Sequence, residues 1–215
     1  MTYLKRQEVP KKWPIPRKGT KYVVRADNLK SGIPILVVLR DILKLAKNRK
    51  EIKQAINAEH ILINTKLVID ERKSILLFDT ITIVPSRKSY RVELAKTGKF
   101  KIEEIKENEA GEKISKITDK KILKGKKTQL NLIDGKNFLS EIKCKTNDSV
   151  LINFKDKKVE KCLPLKENAN AIVFDGKHAG KSGIIKAIKQ EKKMAEIEID
   201  GKMTNVLIKQ FMVVE

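Results

Sequence analysis

Six cations at helical spacing are the residues best suited to chemistry, and the chemistry is capture of phosphate. Arg40, Lys44 and Lys47 fall on one helix face, and Arg49, Lys50 and Lys53 open the helix that follows. Cations on a rigid helix pair contact phosphate oxygens and so position a protein on RNA without reading its sequence. The competing reading of each face is an ordinary solvated helix surface. If the faces bind RNA, replacing Arg40, Lys44 and Arg49 together with Gln weakens binding and leaves stability nearly unchanged, because exposed charges alter it by only about ±0.5 kcal/mol.

A second group is Gly176-Lys177-His178-Ala179-Gly180-Lys181-Ser182-Gly183. Its Gly-Lys-Ser end matches the close of a nucleotide phosphate loop. That loop needs a further glycine where Asp175 stands. It also needs a helix to follow, and Ile184 to Ile188 has strand character. Triphosphatase activity is therefore rejected. The glycines permit a tight turn at positive φ, leaving Lys177, His178 and Lys181 at its tip as candidate RNA contacts. A purely structural turn is the alternative.

Trp13 is flanked by Lys11, Lys12, Arg17 and Lys18. It reads either as a stacking or cation–π partner for RNA, or as an apolar anchor pinning the N-terminal segment to the block beginning at Ile33. Aromatics make up only 5% of the chain, sparse for a protein that binds single strands by base stacking. Recognition is expected through phosphates, 2′-hydroxyls and shape.

Catalytic patterns are lacking. No carboxylate pair has the apolar flanks that raise a pKa, and no Ser or Cys stands in a nucleophile motif. Cys144, Cys162, His60 and His178 are scattered singly and make no zinc box. The expectation is a non-enzyme with no cofactor, no metal, no small-molecule substrate and reduced thiols. The longest uncharged apolar run, Ile33 to Leu39, is far short of the ~20 residues of a membrane span. Met1 to Arg6 has no signal-peptide pattern, so a cytoplasmic protein without a membrane partner is expected.

The formal net charge is +21 over 215 residues. Such an excess repels itself in a compact chain. A polyphosphate backbone relieves the repulsion and releases counterions as it binds.

The elements that must hold these residues suggest an α+β chain in four blocks. Residues 1–32, basic and broken by Pro10, Pro14 and Pro16, read as an extended arm with little core, or as a disordered tail in the isolated protein. Residues 33–84 read as two helices and a β-ribbon. Leu39, Ile42, Leu43 and Ala46 have the spacing of one buried helix face. Asn48 and Glu51 form a capping pattern for the second helix, with Ile52, Ala55 and Ile56 as its stripe. Short strands follow around Asn64-Thr65 and at Thr80 to Ile83. Residues 85–165 read as a central β-barrel, with a hairpin at Asp134-Gly135. Residues 166–215 read as a second small β-barrel.

Four stretches, taken in order, resemble ribosomal proteins of the archaeal and eukaryotic S4e family. Leu4-Lys-Arg with Val9-Pro-Lys-Lys-Trp13-Pro-Ile-Pro-Arg-Lys18 resembles that family's arm. Ile35-Leu-Val-Val-Leu-Arg40-Asp-Ile-Leu-Lys-Leu-Ala46 resembles the first helix of its S-four RNA-binding module. Lys124-Gly-Lys-Lys-Thr-Gln129-Leu-Asn131-Leu-Ile-Asp134-Gly135-Lys-Asn137 resembles its central domain. Gly176 to Gly183 resembles the KOW motif of an SH3-like barrel. The resemblance implies a non-catalytic constituent of the small ribosomal subunit, cytoplasmic, docked on the 5′ domain of small-subunit rRNA beside other ribosomal proteins. The chain departs from the family where Glu59 and Thr65 replace glycines, and around Asn168-Ala169-Asn170. A non-glycine residue at positive φ costs on the order of 1 kcal/mol.

Two rival readings share parts of this pattern. S-four modules also deliver RNA-modifying enzymes, which requires a catalytic domain, and the β blocks show no catalytic Asp context or nucleotide motif. KOW motifs also occur in transcription elongation factors, which leaves the helix pair and Gln129 to Asn137 unexplained.

Overall fold

Alternating apolar residues dominate the chain after Glu59, and strands follow from them. The computed structural model describes residues 3–123, 127–140, 142–189 and 191–214. Lys124, Gly125 and Lys126 of the central stretch lie outside the described residues, as do Glu141 and Gln190. The chain divides into two units: Met1–Glu93 with Lys99–Gly111, and Leu94–Gly98 with Glu112–Glu215. The balance is mostly β, which corrects the α+β expectation. Among the described residues helix is confined to Ile35–Ile42, Arg49–Asn57 and short 3-10 turns.

In the first unit the N-terminal segment is less extended than its prolines suggest. Tyr3–Lys5 pairs antiparallel with Tyr22–Val24, setting Leu4 opposite Val23, and both are buried. The Arg6 guanidinium gathers the intervening loop. It donates to the Thr20 carbonyl (2.6 Å), the Pro16 carbonyl (2.7 Å) and Thr20 Oγ1 (2.8 Å). The Phe100 N–H donates to the Lys12 carbonyl at 2.8 Å. Carbonyls that a proline-rich segment leaves without a sheet partner are thus satisfied by a side chain and by a distant strand.

The first helix ends earlier than its periodicity predicts. Ile35–Val37 is α-helical, and Val38–Ile42 continues as a wider π turn. Its last bond runs from the Leu43 N–H to the Val38 carbonyl, and Lys44 then adopts φ +54°. Ile33 to Leu39 are all buried, whereas Ile42, Leu43 and Ala46 are half-buried. The helix is wrapped on all sides rather than along one stripe, so the stripe read from Leu39 to Ala46 does not set its length. Its N-terminal amides are satisfied from a distant loop, Ile35 by the Lys73 carbonyl and Leu36 by that of Glu71.

The second helix, Arg49–Asn57, buries Ile52 and Ile56 as expected. Glu51 reaches back to the Lys47 N–H (2.7 Å) and to Asn48 Nδ2 (3.1 Å). Glu59 follows at φ +59° and Thr65 at φ +65°. Both therefore hold the backbone that glycine favours, and the strain is tolerated. A five-stranded sheet completes the unit, in the order Lys66–Leu67, Ile61–Ile63, Thr80–Ile83, Lys88–Leu94, Phe100–Ile105.

The second unit contains two five-stranded antiparallel sheets. One runs in the order Asn137–Ser140, Thr128–Leu132, Glu112–Ile122, Ser149–Asn153, Lys158–Leu163. The other runs Lys202–Leu207, Met194–Ile199, Ser182–Lys189, Asn170–Val173, Phe211–Val213. The Asp134-Gly135 turn joins Thr128–Leu132 to Asn137–Ser140, with Gly135 at φ +81°. Each sheet has its own apolar core. Ile117, Leu130, Val150 and Ile152 lie in the first, and Ala171, Val173, Ile185, Ile197 and Phe211 in the second. Lys116 joins the two. Its ammonium is buried and donates to the Ile208 and Phe211 carbonyls. Burial lowers its pKa to about 8.

Candidate nucleic-acid interface

The helix-pair cations separate into two kinds. Arg40 and Arg49 are each engaged by a carboxylate. Arg40 makes a fork with Asp41, Nε to Oδ1 and Nη2 to Oδ2, both 2.9 Å. Arg49 Nε lies 2.8 and 2.9 Å from the Glu71 oxygens, and its Nη2 also donates to that carboxylate. Both guanidinium pKa values are raised, in each case first by the hydrogen bond to the carboxylate. Lys53 Nζ lies 4.0 Å from the same Glu71 oxygen. Lys44, Lys47 and Lys50 are exposed.

This pairing gives Arg49 a structural partner that the expectation of near-unchanged stability did not include. Glu71 is only 4% exposed. Removing its fork leaves a nearly buried carboxylate with the longer Lys53 contact at 4.0 Å. Breaking a fully buried pair costs about 3–5 kcal/mol. Because the Arg49 side chain is 53% exposed, solvent screening reduces this, and we expect Arg49→Gln to cost roughly 1–2 kcal/mol. Lys44→Gln should move stability by no more than about 0.5 kcal/mol. Urea unfolding of the two variants checks this, and equal midpoints would refute the structural role of Arg49.

In the N-terminal segment Lys11, Arg17 and Lys18 are exposed and Lys12 is half-buried. Trp13 is 2% exposed, and its Nε1–H donates to the Gly32 carbonyl at 3.0 Å. This is the anchor geometry, and it leaves no ring face for a base. Trp13 is accordingly removed from the stacking candidates.

The loop from Gly176 to Gly183 is a turn between strands. Gly176 and Gly180 have φ +85° and +86°. The Gly180 N–H donates to the Val173 carbonyl (2.7 Å), and the Lys181 carbonyl accepts from the Val173 N–H (2.9 Å). The strand Ser182–Lys189 follows directly. No helix N-terminus is present there to favour a nucleotide phosphate, in agreement with rejection of the phosphate-loop reading. Lys177 is exposed, His178 is half-buried, and Lys181 Nζ lies 3.3 Å from Asp200 Oδ2.

Sequence reasoning passed over Tyr3 and Tyr22. They are far apart along the chain, and no local pattern joins them.

Residues 86–159 match ribosomal family S4e. The chain is 37% identical over 191 residues to a small ribosomal subunit protein eS4 of Methanocella arvoryzae, covering 87% of this chain and 81% of that protein. It is 38% identical over 188 residues to the protein of the same name from Archaeoglobus fulgidus, covering 86% and 79%. The crystal structure of the 30S ribosomal protein S4e from Thermoplasma acidophilum superposes with a TM-score of 0.73 at 21% identity, covering 86% of this chain and 95% of that one. That likeness supports the fold.

Proposed function

The chain belongs to ribosomal family S4e, and from that membership we propose that it is a structural constituent of the small ribosomal subunit. It binds small-subunit rRNA in the cytoplasm and takes part in translation. The carrying observation is the reach of the similarity, 87% of this chain against 81% of a curated relative. A shared S-four module or KOW motif alone would cover a fraction of that length. This separates the reading from an RNA-modification accessory factor and from an elongation factor.

The chemistry is phosphate neutralisation without catalysis. Exposed Lys11, Arg17, Lys18, Lys44, Lys47, Lys50 and Lys177 meet backbone oxygens, and the folded units hold those cations at fixed spacing. The site proposed on the rRNA is the 5′ domain, with other ribosomal proteins as neighbours.

Two measurements test the reading. The protein should co-sediment with small subunits after a high-salt wash. Free protein on isolated small-subunit rRNA should lose affinity steeply with salt, by roughly 10³–10⁵ between 50 and 200 mM for six to ten phosphate contacts on the duplex-DNA scale. Release from subunits in the wash, together with a log–log slope near zero, would sink it.

A further inference from the structure

The hairpin of Tyr3–Lys5 with Tyr22–Val24 has two faces by strand alternation. Leu4 and Val23 take the inner one and are 8% and 5% exposed. Tyr3, Lys5 and Tyr22 therefore share the outer one. Tyr3 is 56% and Tyr22 51% exposed, and their ring centroids are 5.7 Å apart with the planes tilted by 55°. Lys5 stands directly opposite Tyr22 in the register, and Lys21 Nζ lies 5.5 Å from the Tyr22 ring centroid. Two rings are thus held together in water, bordered by ammonium groups.

A tilted tyrosine pair contributes modestly to strand pairing, but that role does not require both residues to stand half exposed. The surroundings indicate what covers them. Residues 1–32 hold nine Lys and Arg against two acids, Glu8 and Asp27. An apolar protein surface is poorly matched to that charge. An unpaired nucleobase on a phosphate backbone matches both halves of the site, since its π face meets a ring while its phosphates meet the lysines. With Trp13 buried, the tyrosine pair is the exposed aromatic surface of this segment.

We propose that Tyr3 and Tyr22 form a stacking platform for one unpaired base of the bound RNA, with Lys5 and Lys21 on its flanking phosphates. This rests on the rRNA-binding reading and deepens it, adding a contact to a base beside the contacts to backbone phosphate.

The test uses the full chain on isolated small-subunit rRNA at fixed salt. Tyr3→Ile with Tyr22→Ile keeps strand-forming, apolar side chains and removes the π faces. Tyr3→Phe with Tyr22→Phe keeps the rings. Loss of one stacked base weakens binding roughly 5- to 150-fold. The Ile pair should lose affinity in that range with an unchanged salt slope, because stacking releases no counterions. The Phe pair should bind like the parent chain. The proposal is overturned if the Ile pair binds like the parent, as it would if the platform docked a protein. It is equally overturned if Ile and Phe pairs lose alike, or if the slope falls with the affinity. Failure of the parent chain to bind rRNA at all would instead overturn the reading beneath it.

Discussion

Gly180→Val is expected to disrupt folding of the second unit, while Lys177→Ala and Lys181→Ala leave it folded. Two costs coincide at Gly180. Its φ of +86° is one that L side chains rarely adopt, and a Cβ there would lie 1.9 Å from the Ala95 carbonyl oxygen. That neighbour is backbone, in a turn closed by the Gly98 N–H donating to the same carbonyl at 2.8 Å. It cannot swing aside as a long side chain would. Backbone strain of about 1–3 kcal/mol and overpacking of about 1–3 kcal/mol together reach the lower end of the roughly 5–15 kcal/mol that keeps a domain folded. The lysines differ. Lys177 is exposed, and the Lys181–Asp200 pair is open to solvent, worth at most about 1 kcal/mol. Their loss should weaken rRNA binding and lower the salt slope by about 1 each. Urea unfolding and filter binding separate the two effects. A Gly180→Val protein with the parent's midpoint contradicts the steric argument. Saturable, Mg²⁺-dependent nucleotide binding abolished by Lys181→Ala would reopen the enzyme reading.

Asp134→Ala is expected to cost about 3–5 kcal/mol, the scale for breaking a buried ion pair. Lys113 Nζ lies 2.9 Å from Asp134 Oδ2, with the two side chains 2% and 3% exposed. The other carboxylate oxygen accepts the Lys136 N–H at 3.1 Å, so the residue also closes its turn. Burial pushes the Asp134 pKa up. The Lys113 charge and hydrogen bond, with the Lys136 N–H, outweigh it and hold the group below its ordinary value of 3.8. A carboxylate whose pKa is lower folded than unfolded contributes stability above the unfolded value, and loses it as pH falls through the folded one. The parent chain should therefore lose stability below about pH 3.8, and Asp134→Asn should lack that component. Denaturation midpoints against pH for both proteins decide the matter. Parallel curves would show that the pair does not carry the acid dependence.

Several elements were legible because their causes are local. Asp134-Gly135 and the glycines at 176 and 180 mark turns through the backbone conformations they allow. Alternation at Met194 to Ile199 reports a strand with one buried face, and Ile52 with Ile56 reports a helix stripe. The first helix was misjudged because Ile33 to Leu39 is buried on every side. Its end is set by a π turn and by Lys44, which periodicity does not register.

Charge and local pattern in the sequence pointed to a phosphate-bearing partner and marked the turns and many strands, but overstated the helix: a +21 chain without catalytic spacing relieves its self-repulsion on a polyanion. Folding, not sequence, settled which side chains are engaged within the protein and which are left exposed. Arg49 was matched to Glu71, 22 residues away, and withdrawn from the free cations. Trp13 was buried against Gly32, while Tyr3 and Tyr22 were brought together on an exposed hairpin face. Propensity and periodicity act over a turn of helix or a pair of strand residues. The choice of a partner twenty residues away is made by burial and by the need to satisfy every enclosed polar group, and those exist only once the chain has folded.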